Sequence, residues 1–201
     1  MTSKDNNTLF GLVLAGGHSK RMGADKSTMR WHGKEQRYYM ADMLAQVCDK
    51  VFISCRPEQA DQIDSAYHAL PDNAQGSGPV VGILSALNAF PDQSWLVVAC
   101  DLPLLDRETI GYLTNHRDKD SVATTFESPF DGLPEPLITI WEPASQPILV
   151  SHLEEGFSCP RKALIRNQDR VTILQAPDPE KLMNANTPED AAEVRRILEQ
   201  K

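Results

Sequence analysis

The sequence reads LFGLVLAGG over residues 9–17. A short apolar run that ends in two adjacent glycines is typical of a strand that is buried on both faces of a sheet and followed by a sharp turn. Two further apolar runs, VFIS at 51–54 and WLVVAC at 95–100, fit the same description. The repeated pattern indicates a sheet whose strands are enclosed by other elements.

Helical patterns separate these strands. Apolar residues recur at helical spacing over residues 36–47, and a second helix is expected over 80–90, directly after Pro79. A third is expected from Asp106, whose carboxylate can cap it, to about His116. Strands that alternate with helices predict an α/β fold, a mostly parallel sheet with helices on both faces. Ligands bind such sheets at the carboxyl ends of the strands.

The second part of the chain is less regular. Five prolines punctuate residues 124–147, and we expect irregular loops there around one strand at 137–141. A late strand is expected at 171–174. Residues 188–198 are expected to form a closing helix with Thr187 as its N-cap.

Length and charge exclude some classes of protein. At about 150 residues per domain, a chain of 201 residues predicts one domain over 9–201, with a flexible tail over 1–8. The 20 Lys and Arg against 28 Asp and Glu give a net charge of -8, which argues against nucleic-acid binding. No apolar run approaches the ~20 residues that cross a membrane. The charge is compatible with a monomer or a weak oligomer.

The cysteines are a second compositional signal. Cys48, Cys55, Cys100 and Cys159 have no C-x-x-C spacing, which argues against a zinc knuckle. We therefore expect reduced and mostly buried thiols in a cytoplasmic protein.

Two cations and several glycines follow the first strand, in LAGGHSKRMGADK over residues 14–26. Gly16 and Gly17 allow a sharp turn and a close approach of backbone N–H groups to a ligand. Arg21 can grip phosphate oxygens with two parallel hydrogen bonds, and Lys26 supplies a compact charge. The spacing differs from that of a P-loop and of a dinucleotide fingerprint. The segment therefore predicts a triphosphate site rather than a turn with two solvated cations.

Asp101 directly follows the third apolar run. A carboxylate in this position is costly to bury without a partner, and Mg²⁺ that bridges it to nucleotide phosphates would be such a partner. A cap for the turn near Pro103 is the alternative.

A loop over residues 76–79, GSGP, precedes the second helix. The N–H groups where such a loop enters a helix are free to bind a ligand. An ordinary surface turn is the alternative.

The sequence resembles the molybdenum cofactor guanylyltransferases. The resemblance rests on four blocks in the family's order, LAGGHSKRMGADK at 14–26, GPVVG at 78–82, CDLP at 100–103 and NANTPED at 184–190. It covers nearly the whole chain and implies a three-layer α/β/α sandwich, the Rossmann-like nucleotidyltransferase fold. It further implies a nucleotide-binding core over residues 9–122, an acceptor-side portion over 123–187 and the closing helix over 188–201.

The resemblance also implies roles for single residues. Asp101 is expected to bind the metal, and Asp72 to contact the guanine nucleotide at the base edge or at the ribose. Relatives often carry asparagines after the second strand, whereas this chain has Ser54-Cys55-Arg56 there. Of these residues, Ser54 can still donate one hydrogen bond to the nucleotide. The expected catalytic residues are Arg21, Lys26 and Asp101. The expected nucleotide-binding residues are Leu14, Ala15, Gly16, Gly17, Arg21, Gly23, Lys26, Ser54, Asp72, Gly78 and Asp101.

The acceptor is expected to contact the second half of the chain. The resemblance places Asn184 and Asn186 near a pterin, whereas loop and cap roles are the alternative. Arg161 and Lys162 form a cationic pair that can meet an acceptor's phosphate, with a solvated helix start as the alternative. Glu135 is a further candidate on this side.

The function that the resemblance implies is transfer of GMP from GTP to molybdopterin, with release of pyrophosphate. The implied cofactor is Mg²⁺, and transient contact with cofactor-delivery proteins is expected. One alternative is a cytidylyltransferase that acts on molybdopterin or on a sugar or polyol phosphate. Another is a non-catalytic nucleotide-binding module, against which the joint presence of Lys26 and Asp101 argues.

Overall fold

The computed structural model describes residues 8–17 and 25–200. Its strands and longer helices, in chain order, are β1 Leu9–Leu14, α1 Gln36–Leu44, β2 Lys50–Cys55, β3 His68–Pro71, α2 Pro79–Ala89, β4 Ser94–Ala99, α3 Arg107–Asn115, β5 Ala123–Glu127, β6 Pro134–Trp141, α4 Gln146–Glu154, α5 Pro160–Arg166, β7 Val171–Leu174 and α6 Pro188–Glu199. Residues 1–7 of the expected tail, residues 18–24 and residue 201 lie outside the described residues.

Most of the expected elements are confirmed. The three apolar runs form β1, β2 and β4, and the expected helices correspond to α1, α2, α3 and α6. Asp106 caps α3, because its side chain accepts a hydrogen bond from the Thr109 N–H over 2.9 Å. Thr187 caps α6 in the same way. The helix α1 ends at Leu44, earlier than expected. The structure adds β3, β5, α4 and α5, which sequence patterns did not reveal.

One sheet contains the seven described strands, in the order β3-β2-β1-β4-β6-β5-β7. The pairs β1 with β2, β1 with β4, β2 with β3 and β5 with β7 are parallel. The strand β6 runs antiparallel between β4 and β5. The expectation of a mostly parallel sheet is therefore confirmed. Because the chain winds away from β1 in opposite directions through β2 and β4, the carboxyl ends of β1 and β4 border the crevice where such folds bind ligands.

Helices cover both faces of this sheet. Neighbouring residues of β1 point into different apolar cores, since Leu12 packs with Ile83 of α2 whereas Val13 packs with Met40 of α1. The helices α4 and α5 pack into the core that contains Leu12, and α3 packs into the core that contains Val13. A third, smaller core joins α6 to Leu104, just beyond β4. This arrangement is the expected three-layer α/β/α sandwich.

Residues 124–147 are more regular than expected. They include most of β5 and all of β6, which form a hairpin inside the main sheet, and the start of α4. The expectation of loops around one strand was wrong because several prolines stand where elements begin, and Pro136 lies within β6 itself. Pro134 is the first residue of β6 and Pro147 lies in the first turn of α4, positions at which proline is tolerated.

Two other sequence expectations bear on the described residues. All four cysteines are free thiols; Cys55 and Cys100 are buried, Cys48 is half-buried and Cys159 is exposed. Among the residues that the structure describes, no helix has both the length and the apolar character needed to span a membrane.

A buried ion pair fastens β6 to β4. The Arg117 guanidinium donates to both Glu142 oxygens, over 2.6 and 2.9 Å, and to the Ser94 hydroxyl over 2.6 Å. Glu142 lies directly after β6, and its side chain is only 2% exposed. Removing one partner of such a pair leaves a buried charge without compensation.

We predict that Arg117→Met lowers the free energy of unfolding by about 3 kcal/mol. The double variant Arg117→Met, Glu142→Met removes both charges and is expected to recover most of that loss. Urea unfolding of the wild type and the two variants measures both quantities. A double variant that is no more stable than the single one would contradict this account of the pair.

Candidate functional site

A cavity of about 540 Å³ opens at the carboxyl ends of β1, β2 and β4. It lies at the reversal point of the sheet, where a ligand site was expected. The expected nucleotide-binding residues that line it are Leu14, Ala15, Gly16, Gly17, Lys26, Ser54, Asp72, Gly78 and Asp101. Arg21 and Gly23 lie outside the described residues. The structure therefore brings together every expected nucleotide-binding residue that it describes.

The floor of the cavity is the turn after β1. The Ala15 N–H donates to the Ser54 carbonyl over 3.0 Å, which extends the sheet by one residue. A side chain at Gly16 would place its Cβ 3.3 Å from an Asp72 carboxylate oxygen and 3.5 Å from the Arg56 backbone nitrogen. At Gly17 no described atom lies within 4 Å of such a Cβ. A side chain at Gly16 would therefore crowd the Asp72 carboxylate, whereas one at Gly17 would meet no described atom.

Asp72 and Ser54 form one wall. Ser54 is buried within β2 and donates its hydroxyl to Asp72 Oδ1 over 2.7 Å. Burial raises the pKa of the Asp72 carboxyl, and the Ser54 hydrogen bond partly opposes that rise. The single hydrogen that Ser54 was expected to give to a nucleotide is thus donated to Asp72. Ser54 therefore supports the aspartate.

Asp101 stands on the opposite wall, directly after β4. Its Oδ2 lies 3.9 Å from the Lys26 ammonium, whereas its Oδ1 is buried with no hydrogen-bond partner among the described residues. Burial raises the pKa of the Asp101 carboxyl, and the Lys26 charge opposes that rise. A buried carboxylate oxygen without a donor suits a hard cation, which takes oxygen ligands. The helix that follows, α3, is capped by Asp106 and not by Asp101.

The described residues contain no group of three or more His, Cys, Asp and Glu side chains that could hold a metal. A Mg²⁺ ion at Asp101 would therefore take most of its ligands from phosphates and water, as is common for this ion. The chemistry of the donor fits that requirement, because one carboxylate oxygen is available to the ion.

Lys26 begins a short 3₁₀ turn, Lys26–Thr28, directly before the loop that leads to α1. Asp25 caps this turn by accepting from the Ser27 N–H over 2.9 Å and from the Ser27 hydroxyl over 2.7 Å. The Lys26 ammonium donates to the side-chain oxygen of Asn186. Asn186, which was expected to contact an acceptor, is thus a neighbour of Lys26, which was expected to be catalytic. Asn184 is half-buried in the same segment.

The expected acceptor cations lie outside the lining of this cavity. Arg161 is paired with Asp131 over 2.6 Å and with Glu135 over 3.1 Å. Lys162 is exposed, and its ammonium lies 5.0 Å from the centre of the Phe157 ring. Arg161 already has two acidic partners, so an acceptor phosphate would have to compete with both.

Glu135 is a buried acid on this side of the site. It lies near the start of β6, which is antiparallel, so it stands at the same edge of the sheet as Asp101. Burial raises the pKa of Glu135 to about 6; the charge of Arg161 opposes that rise, and the charges of Asp101 and Asp131 add to it. Glu135 is only 2% exposed.

Sequence analysis missed several residues of the cavity. Arg56 follows β2 and donates to the Gly16 carbonyl over 3.3 Å, which holds the glycine turn. The signal that could have identified Arg56 is its position directly after β2, at the edge of the sheet where ligands bind. Gly82 lies one turn into α2, where a Cβ would come within 2.5 Å of the Ser54 hydroxyl. Gly78, which was expected, has φ +81° and packs against the Ser158 carbonyl, which joins the GSGP loop to the segment before α5.

A glycine turn, a lysine and a buried aspartate around one cavity at the reversal point of a parallel sheet define a nucleotide-binding α/β protein. Comparison with known proteins makes this class more specific. The model of the MobA-like NTP transferase domain matches residues 11–171. A molybdenum cofactor biosynthesis bifunctional protein of Synechocystis sp. is 34% identical over 190 residues, which are 92% of this chain and 53% of that protein. The chain thus spans about half the length of that relative.

Relatives of similar length are also found. A probable molybdenum cofactor guanylyltransferase of Nostoc sp. is 30% identical over 196 residues, covering 94% of this chain and 91% of that protein. The crystal structure of molybdopterin-guanine dinucleotide biosynthesis protein A from Archaeoglobus fulgidus has a TM-score of 0.79 at 22% identity, covering 96% of this chain and 100% of that one. The chain belongs to the MobA-like NTP transferase family, within the molybdenum cofactor guanylyltransferases.

The two helical glycines Gly82 and Gly111 provide a matched test of the packing against the wall formed by Ser54 and Asp72. Gly→Ala inside a helix normally stabilises a protein by about 0.5–1 kcal/mol. We expect Gly111→Ala to show that gain, because no described atom lies within 4 Å of the added Cβ. Gly82→Ala is expected to lose the gain and to weaken GTP binding, because Ser54 must rotate away from Asp72. Urea unfolding and calorimetry measure the two effects, and equal behaviour of both variants would contradict the packing argument.

The acid Glu135 predicts a pH dependence. Its pKa of about 6 lies above the value of 4.5 for a free side chain, so the folded protein binds this proton more tightly than the unfolded chain. The resulting stabilisation is present below pH 4.5 and is lost as the pH rises through 6. The free energy of unfolding of the wild type relative to Glu135→Gln should fall by about 2 kcal/mol across this range. Urea unfolding at several pH values tests this, and parallel profiles for the two proteins would refute it.

Proposed function

We propose that this protein transfers GMP from GTP to molybdopterin and releases pyrophosphate, which forms the guanine dinucleotide of the cofactor. The observation that carries the proposal is the pairing of Lys26 with Asp101 in one cavity, 3.9 Å apart. A cation and a buried acid that lie side by side can serve the same polyphosphate, the first directly and the second through a metal ion.

In the proposed reaction, an oxygen of the terminal phosphate of molybdopterin forms a bond to the α-phosphorus of GTP. The bond from that phosphorus to the oxygen that bridges the α- and β-phosphates breaks, and pyrophosphate leaves. The attacking oxygen is already negatively charged, so a strong general base is not required. Catalysis then depends on positioning the reactants and on stabilising the charge that develops on the leaving group.

The residues of the cavity supply those two contributions. Gly16 and Gly17 let backbone donors approach the triphosphate, and Lys26 neutralises the charge on the departing pyrophosphate. Arg21 would assist Lys26. Asp101 would hold Mg²⁺, which when bound neutralises charge on the reacting phosphates.

Asp72 is the residue proposed to contact the guanine nucleotide. A carboxylate accepts hydrogen bonds from the N1–H and N2–H₂ edge of guanine or from a ribose hydroxyl. The Ser54 hydrogen bond fixes Asp72 Oδ1, and the GSGP loop with Gly78 closes that side of the cavity.

The acceptor would enter from the side of β6 and α5. Arg161 and Lys162 are proposed to meet the acceptor's phosphate on that side. Asn184 and Asn186 are proposed to lie near the pterin, as the family resemblance implies. We place the reaction in the cytoplasm, which free thiols suit. We also propose that the protein works as a monomer or weak oligomer and passes its product on by transient contact with cofactor-delivery proteins.

A nucleotide panel tests the substrate. Calorimetry with GTP, CTP, ATP and UTP in the presence of Mg²⁺ is expected to show the tightest binding for GTP. Preference for CTP would instead assign the protein as a cytidylyltransferase. Pyrophosphate release from GTP and molybdopterin tests turnover, since a non-catalytic module would bind nucleotide and release none.

Two variants test the roles of the paired charges. Lys26→Met and Asp101→Asn are each expected to lower turnover on the order of 100-fold or more, because each removes a group that stabilises charge in the transition state. Lys119→Met is the control, since Lys119 is exposed near the amino end of β5, at the opposite edge of the sheet. Asp101→Asn with wild-type turnover and Mg²⁺ dependence would show that the metal assignment is wrong.

A further inference from the structure

The Lys26 ammonium has a partner that lies far away in the sequence. It donates to Oδ1 of Asn186, 160 positions along the chain. The Lys26 side chain is 16% exposed, so it lies at the inner edge of the cavity rather than in solvent. Lys26, near the start of the chain, is thus held by the segment that precedes α6.

Asn186 is itself fixed by the start of α6. Its backbone N–H donates to Asp190 Oδ2 over 2.9 Å, and the Thr187 N–H donates to the same oxygen over 2.9 Å. The Asp190 N–H returns a bond to the Thr187 hydroxyl over 3.2 Å, which completes a capping box. The cap orients the backbone of Asn186 and leaves its side chain directed at Lys26.

The same segment also contacts the acid. The Ala185 N–H donates to the Asp101 carbonyl over 2.8 Å, and the Ala185 side chain is buried against Leu104 and Val194. Neighbouring residues 185 and 186 therefore hold Asp101 by its backbone and Lys26 by its side chain. The spacing between the two charges is set by this one stretch of chain.

We propose that Asn186 is a positioning residue for Lys26, which fixes the ammonium beside Asp101 where it meets the phosphates of the nucleotide. The proposal rests on the proposed function only in that a polyphosphate binds this cavity. It gives Asn186 a role on the nucleotide side of the reaction, in addition to the acceptor side that the family resemblance implies.

An amide is suited to this role. A lysine side chain loses much rotamer freedom when it is ordered, so a lysine that is already held meets its ligand at a lower entropic cost. An amide oxygen is a neutral acceptor, so it orients the ammonium without cancelling its charge. A carboxylate at position 186 would pair with Lys26 and repel the phosphates. Asn186→Asp is therefore expected to weaken polyphosphate binding despite its similar shape.

A double-mutant cycle tests the proposal on binding alone. Calorimetry with inorganic tripolyphosphate and with GTP, both with Mg²⁺, is carried out on the wild type, Asn186→Ala, Lys26→Met and the double variant. We expect Asn186→Ala to weaken tripolyphosphate binding about tenfold, the range for a hydrogen bond to a charged group. In the Lys26→Met background the same change is expected to have no further effect, because the group that Asn186 positions is gone.

Asn184→Ala is the matched comparison, since Asn184 flanks Ala185 on the other side. Its effect on tripolyphosphate binding, whatever its size, is expected to be the same with and without Lys26. Thermal unfolding verifies that each variant folds, and Asn186→Leu, which keeps a similar side-chain volume but has no acceptor, replaces Asn186→Ala if the alanine variant does not fold.

Equal effects of Asn186→Ala in the two backgrounds, or no effect in the wild type, would overturn the proposal. A protein that binds tripolyphosphate but does not transfer GMP would refute the proposed function and leave this cycle readable. A wild-type protein that binds no tripolyphosphate would overturn the positioning role directly.

Discussion

The Asp101 carboxylate at the end of β4 is buried, and one of its oxygens has no donor within the described part of the chain. An unsatisfied buried oxygen of this kind costs about 1–3 kcal/mol, so the fold retains it at the expense of stability. Lys26 offsets part of the cost, and Ala185 anchors the Asp101 backbone. The other functional groups of the cavity are arranged around this carboxylate. A protein that keeps an acid in such a position has an arrangement suited to a cation and to the phosphates that accompany it.

The sheet places the partners of that acid. Because β1 lies between β2 and β4 in parallel, the turn after β1, the Ser54–Asp72 wall and Asp101 all emerge at one edge. Because β6 is antiparallel to β4, its first residues, including Glu135, lie at this same edge. Two buried acids, Asp101 and Glu135, thus face one side of the site, and Lys26 and Arg161 each lie beside one of them. The site consequently holds two acids and two cations at one edge of a sheet whose faces pack against apolar cores.

Much of this could be predicted from sequence because the signals are local. An apolar run that ends in glycine or aspartate identifies both a strand and its functional end, and this was enough for β1 and β4 with Gly16 and Asp101. Caps such as Asp106 and Thr187 are equally local. The insertion of β6 depends on pairing with two distant strands, and its prolines resemble loop residues, so no local pattern revealed it. The contact of Lys26 with Asn186 and the pairing of Arg161 with two acids depend on tertiary packing in the same way. Arg21 and Gly23 remain predictions.

Binding of a nucleotide with a metal ion tests the central claim most directly. Crystals grown with GTP and Mn²⁺ in place of Mg²⁺ would locate the ion by its anomalous scattering. The account predicts Mn²⁺ bound to Asp101 Oδ1, with the triphosphate spanning from the glycine turn to Lys26. A triphosphate and ion bound elsewhere, with Asp101 still lacking a partner, would contradict it.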